Sequence, residues 1–178
     1  DQHALMELAY DGELSKGWQQ QFRLFSGSYR YDGSYRYAGA LDNLDQGRAN
    51  WVGGDYRLIM TTLPAHKLML GIETQWNTLL EQRNFDVLPA TSYLDSNRTS
   101  NTLGVFVQDE LRLSPQWLLN LGLRHDKHSD YSAITSPRAA LIYQPNEGAT
   151  LKVMAGSAYR APNAYERFYD DGGVLQKS

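Results

Sequence analysis

The 178-residue sequence has no cysteine, which excludes disulfide bonds and thiolate metal sites. It has no run of 18 apolar residues, about the minimum for a membrane-crossing helix. The first residues, DQHALMELAYDG, lack the basic start and apolar stretch of a secretory signal peptide. The net charge of −3 gives no basic excess, so we do not expect a nucleic-acid partner.

Phosphate-binding glycine loops and nucleophile elbows are also missing, and the spacing of Ser, His and Asp suggests no catalytic triad. We therefore expect neither an enzyme nor a cofactor or metal site. Phenylalanine is scarce beside tyrosine and tryptophan, with five Phe against 12 Tyr and four Trp. Tyr and Trp favour boundaries at which one end of the side chain is dry and the other is wet.

The clearest pattern that is present has a period of two. From Leu103 to Leu113 the odd positions are apolar, with Asp109 as the exception, and most even positions are polar. The segments Leu68–Asn77 and Trp117–Asp126 alternate in the same way. Such alternation is typical of strands with one apolar and one polar face. It predicts about eight strands, at 3–11, 17–29, 48–61, 67–82, 101–113, 117–128, 136–145 and 149–160.

Short and long connections alternate between these strands. Long polar segments cover roughly 29–46 and 83–100, with a shorter one at 128–135, and the remaining turns are short. Bacterial outer-membrane barrels have short turns on one side and long loops on the other. Aromatic residues near the strand ends would form the two girdles of such a barrel: Trp18, Trp117 and Tyr143 by the short turns, and Trp76 and Tyr159 toward the long loops.

The sequence therefore favours an all-β, antiparallel, up-and-down transmembrane β-barrel segment. Its apolar face would contact lipid and its polar face a wet lumen. Two alternatives remain open. One is a self-contained eight-stranded barrel with a structural or adhesive role. The other is a soluble β-sandwich with a binding role, in which Leu119, Leu121 and Leu123 would be buried against protein.

Two longer segments carry a family resemblance. They are TLGVFVQDELRLSPQWLLNLGLRHD (residues 102–126) and SPRAALIYQPNEGATLKVMAGSAYRAPNAYERFY (residues 136–169), the second containing the motif Arg160-Ala161-Pro162 with Glu166. Together they resemble the barrel of TonB-dependent outer-membrane receptors. The resemblance implies a 22-stranded barrel around an N-terminal plug. It also implies import of a ferric siderophore, haem or cobalamin, powered by an inner-membrane protein that acts on the plug.

On this resemblance, residues 1–178 are a partial barrel domain with no plug and no closing C-terminal strand. Its expected partners are outer-membrane lipid, the plug and the remaining strands of a larger receptor. The last predicted strand should stop before Pro162, which cannot donate to a ladder. Residues 163–169 would then begin an outer loop in which Glu166 pairs with an arginine.

Two groups of side chains are candidates for ligand contact. The first lies in YRYDGSYRYAG (residues 29–39), where rings could stack on a planar ligand and Arg36 could attract an anion; the rings are those of Tyr29, Tyr31, Tyr35 and Tyr37. Alternatively, these tyrosines continue the outer girdle. The second group is Arg124, Arg138 and Arg160 on the polar face, which would contact either a ligand or carboxylates on neighbouring strands.

Overall fold

The computed structural model describes residues 1–36 and 42–169. Eight strands form one antiparallel sheet, and they are hydrogen-bonded in chain order. The strands are β1 (Gln2–Ser15), β2 (Trp18–Tyr35), β3 (Asn43–Met60), β4 (His66–Asp86), β5 (Thr91–Ser114), β6 (Trp117–His128), β7 (Tyr131–Asn146) and β8 (Ala149–Gly156). A short helix, α1 (Ala164–Phe168), follows β8. The predicted all-β, up-and-down architecture is confirmed.

The sheet is open at both edges. Within the described residues, β1 pairs with β2 alone and β8 with β7 alone, so the chain does not form a closed eight-stranded barrel. Leu121 and Leu123 are 46% and 47% exposed, and in the described part of the chain no second sheet covers them. A β-sandwich would have buried these side chains, so both alternatives disagree with the structure.

Several strands extend further than the sequence predicts. The β2–β3 ladder continues to the pair Tyr35–Asn43, and the β4–β5 ladder to Asp86–Thr91, so the segments predicted as long loops are mainly strand. β4 and β5 have 21 and 24 residues, about twice the 9–11 needed to cross a bilayer. Their ends away from the short turns, here called the outer ends, are polar on both faces and therefore carry no alternating pattern in the sequence.

The last strand, by contrast, is shorter than predicted. β8 ends at Gly156, not near residue 160, and the amide of Ser157 makes one further hydrogen bond to the carbonyl of Pro137 at 3.0 Å. The chain then leaves the sheet and reaches α1 across the polar face. Arg160 is therefore not an inward-facing strand residue. Its guanidinium instead turns to Glu166, as described below.

The two faces of the sheet differ sharply in chemistry. One face, here called the lumen face, carries ion pairs such as Arg23–Asp55, with 2.6 Å between Nε and Oδ2. The opposite face, here called the outward face, exposes rows of apolar side chains that include Leu8, Leu24, Leu70, Ile72, Leu103, Val105, Leu121, Leu151 and Val153. On the outward face, beside the short turns, the rings of Trp117 and Tyr143 stack with centroids 4.3 Å apart. In residues 1–36 and 42–169, no helix has the length and apolar character to cross a bilayer.

Aromatic side chains lie across glycines on the lumen face. Gly71 faces Phe106 on the adjacent strand, and a Cβ added at Gly71 would overlap the phenyl ring. Gly27 and Trp51 form a similar pair between β2 and β3. The glycine hydrogens leave room for these large rings to lie flat on the neighbouring strand. This packing fixes the inner surface of the sheet without a second layer of protein.

Candidate functional site

A tyrosine cluster stands on the lumen face at the outer end of β2. Tyr29, Tyr31 and Tyr35 are odd-numbered positions of this strand and therefore project to the same side. Across β3 they meet small residues, because Tyr29 is opposite Ala49 and Tyr31 is opposite Gly47. The hydroxyl groups of Tyr31 and Tyr35 contact each other. The three rings thus form an aromatic wall on one side of the strand.

Helix α1 and its C-terminal cap bring two further tyrosines near this wall. Asn163 caps the helix: its side chain accepts a hydrogen bond from the Glu166 amide, and the Glu166 carboxylate accepts one from the Asn163 amide, both at 2.8 Å. This reciprocal capping box satisfies amides that would otherwise lack partners in so short a helix. Tyr165 and Tyr169, four residues apart, stack with centroids 4.3 Å apart.

Residues 157–169, here called the strap, contain a bidentate ion pair that holds the segment together. The Arg160 guanidinium donates to both carboxylate oxygens of Glu166 at 2.7 and 2.9 Å. This confirms that Glu166 pairs with an arginine. The pair and the capping hydrogen bond from Asn163 lower the pKa of Glu166 below its ordinary value. The carboxylate thus holds the beginning of the helix to the chain that leads into it.

The strap is also attached to β5 and β7. The Arg98 guanidinium of β5 lies 3.9 Å from the centroid of the Phe168 ring. On β7, the Tyr131 hydroxyl donates to the carbonyl of Pro162 at 2.7 Å, and Arg167 lies 4.3 Å from the centroid of the Tyr131 ring. Cation–π contacts of this kind contribute roughly 0.5–2 kcal/mol each. The strap therefore crosses the lumen face from β7 and β8 toward β5 and β4.

A buried polar cluster anchors the far end of the strap. Asn84, which is 2% exposed, donates to the Tyr169 hydroxyl at 3.0 Å, and this hydroxyl donates to Asp45 at 3.2 Å. Asn43 and Asn84 exchange hydrogen bonds at 3.0 and 3.2 Å. Asn43 also donates to Asp86 at 2.9 Å. Because buried amides and carboxylates require such partners, the cluster fixes the geometry at the outer ends of β3 and β4.

The ionisation of this cluster follows from its contacts. Hydrogen bonds from Tyr93, at 2.6 Å, and then from Asn43 lower the pKa of Asp86. Burial, followed by the charge of Asp45, raises the pKa of Tyr169. Asp86 is therefore anionic and Tyr169 protonated at neutral pH. These are the protonation states that their hydrogen bonds require.

Together, β2 and the strap enclose a cavity of about 530 Å³. Its lining includes Tyr29, Tyr31, Tyr35, Gln82, Tyr165 and Tyr169. The aromatic faces suit a planar or aromatic ligand, and the hydroxyl and amide groups can orient it. In the described chain, no group of three or more His, Cys, Asp or Glu side chains is arranged to hold a metal ion.

The structure places the candidate cations elsewhere. Arg36 is 86% exposed on its side chain and pairs with Asp42 at 3.3 Å, and it is not among the described residues that line the cavity. Tyr37 lies outside the described residues. Arg124 donates to Glu73 at 2.9 Å and to Asp126 at 2.8 Å, and with Arg138 it lines a separate lumen cavity of about 190 Å³. Arg160, as noted, pairs with Glu166.

The sequence predictions did not include Tyr165 and Tyr169 in the site. Two signals for them are visible in the sequence. Asn163-x-x-Glu166 has the spacing of a capping box, and the two tyrosines have the i, i+4 spacing of one helix face. The position of Tyr169 against β3 and β4 has no local signal, because it depends on hydrogen bonds with residues 124 and 85 positions earlier in the sequence.

An antiparallel meander with an apolar outward face, a charged lumen face and long outer hairpins is a segment of a membrane β-barrel wall. The family model described as "TonB dependent receptor-like, beta-barrel" matches residues 1–176, so the chain belongs to this family. The family consists of receptors and transporters and is not enzymatic.

Similar proteins include siderophore and vitamin receptors. The ferric enterobactin receptor PirA of Pseudomonas aeruginosa is 30% identical over 119 aligned residues, which cover 58% of this chain and 16% of that protein. The vitamin B12 transporter BtuB of Vibrio cholerae is 40% identical over 53 residues, or 30% of this chain and 9% of that protein. The chain thus spans less than a fifth of the length of these curated relatives.

Among solved structures, the siderophore receptor PirA from Acinetobacter baumannii matches with a TM-score of 0.66 at 21% identity. The match covers 93% of this chain and 26% of that receptor. The ferric enterobactin receptor of Pseudomonas aeruginosa, solved with enterobactin, matches with a TM-score of 0.63 at 22% identity and similar coverage. At these identities the likeness establishes the fold alone.

Proposed function

We propose that the chain forms part of the wall of an outer-membrane receptor that imports a ferric siderophore by TonB-dependent transport. Its outward face would contact lipid. Its lumen face would contact a plug domain, through which an inner-membrane protein supplies energy. The ligand would be captured at the outer end of the lumen and would pass inward once the plug is displaced. Family membership and the names of the relatives support this proposal.

The observation that carries the proposal is the tyrosine-lined cavity at the outer end of β2. Tyr29, Tyr31 and Tyr35 form one wall, and Tyr165 and Tyr169 of the strap form another. Aromatic side chains stack on the flat rings of an aromatic iron chelate, and phenol hydroxyls can donate to its oxygens. The location is suitable for capturing a ligand, because the cavity lies at the outer end of β2, away from the short turns.

A second candidate ligand is cobalamin. The supporting observation is the 40% identity of a 53-residue stretch to a vitamin B12 transporter. The corrin ring is also large and flat, so an aromatic cavity would suit it as well. Haem is a third planar ligand that the same surface would accept. The identity of the ligand is therefore tested by direct competition among these three classes.

The test is a double substitution, Tyr29→Ala with Tyr31→Ala, in the complete receptor. Each aromatic contact contributes roughly 0.5–1.5 kcal/mol, and about 1.4 kcal/mol corresponds to a tenfold change in affinity. We expect binding of a ferric catecholate siderophore to cells to weaken about tenfold, and growth on that iron source to fall with it. Binding of cobalamin and haem, measured in parallel, identifies the class that the cavity prefers.

Tyr159→Ala is the matched control, because Tyr159 is 48% exposed and does not line the described cavity. It should leave binding unchanged. If the double variant reaches the outer membrane in normal amounts and binds all three ligand classes as tightly as the wild type, the cavity is not the capture site. If no ligand of any class supports binding or growth through the wild-type receptor, the import proposal is wrong.

A further inference from the structure

One acidic side chain lies on the outward face among apolar neighbours. Asp109 of β5 is on this face, where its cross-strand partners are Leu68 of β4 and Leu121 of β6. The imidazole Nδ1 of His66 lies 2.8 Å from Asp109 Oδ2 and donates to it, since a carboxylate can only accept. A carboxylate on a lipid-facing surface carries a desolvation cost that one hydrogen bond offsets only in part.

The second carboxylate oxygen is unsatisfied. Asp109 Oδ1 is buried and has no hydrogen-bond partner among the described residues. A carboxylate has about four acceptor positions, and a buried acceptor without a donor costs roughly 1–3 kcal/mol. The cross-strand partners Leu68 and Leu121 are aliphatic and cannot supply this donor, and the Nδ1 of His66 already donates to Oδ2. A donor from outside the protein would therefore stabilise the site.

An open groove of about 610 Å³ begins at this carboxylate. It runs across the outward face of β6, β7 and β8, and its floor is made of small residues, namely Ala139, Ala155 and Pro137. The leucine side chains of Leu121 and Leu123 form its side. Along each strand the groove extends from the level of Asp109 away from the short turns. The surface is almost wholly apolar, which suits a hydrocarbon chain.

The level of the site in the sheet matches a lipid headgroup. Leu68, opposite Asp109, is only two residues into β4, or about 7 Å from its first residue. The Trp117–Tyr143 stack marks the same end of the sheet. Aromatic pairs of this kind sit at the membrane interface, where headgroups also lie. A lipid anchored here would direct its chain toward the membrane centre, along the groove.

We propose that the His66–Asp109 pair and the adjoining groove bind an amine-bearing phospholipid of the leaflet on the short-turn side. The primary ammonium group forms an ion pair with the Asp109 carboxylate, whose side chain is 22% exposed, and one acyl chain lies over Ala139 and Ala155. A choline headgroup has no N–H to donate, and a glycerol headgroup has no positive charge. The site therefore selects phosphatidylethanolamine. This inference is independent of the ligand that the receptor imports.

The test measures lipid retention by native mass spectrometry of the complete receptor, extracted in mild detergent and exposed to equal amounts of phosphatidylethanolamine, phosphatidylcholine and phosphatidylglycerol. We expect phosphatidylethanolamine to be retained at least about tenfold more than the other two, and Asp109→Asn to abolish this preference. Asp109→Asn removes a charge from the lipid-facing surface, so membrane assembly should be preserved. Glu110→Gln is the matched control, because it removes a charge from the adjacent residue on the lumen face.

Ala139→Leu tests the groove separately. It fills the floor without altering the charge, and it should reduce retention of phosphatidylethanolamine several-fold while leaving assembly intact. The proposal is overturned if Asp109→Asn retains phosphatidylethanolamine as well as the wild type does. It is equally overturned if the wild-type receptor retains the three lipids in equal amounts, or if Glu110→Gln loses the preference together with Asp109→Asn.

Discussion

The side chains of Asn84 and Tyr169 meet at 3.0 Å although 85 residues separate them in the sequence. Asn84 lies at the outer end of β4, and Tyr169 is the last residue of the strap that follows β8. Both side chains are almost fully buried, at 2% and 6% exposure. The contact links the strap, which follows the edge strand β8, to β4 in the middle of the sheet across the lumen face. It also fixes the position of one wall of the tyrosine-lined cavity.

Tyr169→Phe should release the far end of the strap. The variant removes the hydroxyl that accepts from Asn84 and donates to Asp45, and it leaves the ring in place. Losing one partner of a buried hydrogen bond costs roughly 1–3 kcal/mol. We expect faster hydrogen exchange at the Tyr169 amide, which bonds to the Tyr165 carbonyl, by a factor that matches this free energy. Tyr159→Phe, at an exposed site, should not change the exchange, and equal rates in all three proteins would contradict the predicted role.

Acidification should loosen the strap through Glu166. The contact with Arg160 lowers the pKa of Glu166 below its ordinary value of 4.5. The stabilisation is therefore fully present above pH 4.5 and is lost as the pH falls through the lower, folded-state pKa. A spin label at Ala158→Cys, in a chain with no native cysteine, should be equally mobile from about pH 8 to pH 5 and more mobile below. Adding Glu166→Gln should abolish this transition and leave the label mobile at every pH.

Gly71→Val should disturb the lumen face by overpacking. A Cβ at residue 71 would overlap the ring of Phe106 on the adjacent strand, so the ring would have to shift from its position. Overpacking of this kind costs roughly 1–3 kcal/mol. We expect a lower midpoint of urea unfolding from lipid vesicles for the complete receptor. Gly148→Ala is the control, because a Cβ there would be 3.5 Å from its nearest neighbour; a midpoint that changes equally in both variants would refute the mechanism.

Leu121→Arg tests which face meets lipid. Leu121 is exposed on the outward face, and an arginine on the lipid-facing surface of a barrel is destabilising, by about 2–4 kcal/mol at the midplane and by less toward the interface. We expect less folded receptor in the outer membrane, measured by the heat-modifiable shift in gel mobility. Gln108→Arg places the same charge on the lumen face and should be better tolerated. If Leu121→Arg assembles as well as Gln108→Arg, the assignment of the outward face is wrong.

A strand could be predicted from the sequence only where its two faces have different surroundings. The strands around Leu103–Leu113 and Trp117–Asp126 were predictable, because an apolar surface on one side and a polar surface on the other impose a period of two. The outer ends of β2 to β5 have polar groups on both faces, so that constraint vanishes. Their ladders were therefore mistaken for loops, although Tyr35 pairs with Asn43 as regularly as residues in the middle of the sheet do.

The candidate site was predictable only where its signal was local. Tyr29, Tyr31 and Tyr35 alternate along one strand, and the structure places their rings together. The pairing of Glu166 with an arginine was also anticipated from its neighbourhood. The meeting of Tyr169 with Asn84 was not, because it depends on the path of the strap across the lumen face. That path is a property of the tertiary fold, for which the sequence near Tyr169 carries no pattern.

The β4–β5 hairpin is long enough to project beyond the membrane surface. β4 has 21 residues, which corresponds to roughly 70 Å along the strand, far more than a tilted crossing of the bilayer consumes. On the proposed placement, the connection between Asp86 and Thr91 lies well above the lipid, at the end of a hairpin whose two strands remain paired. It is then among the first parts of the receptor that an arriving antibody or bacteriophage would touch.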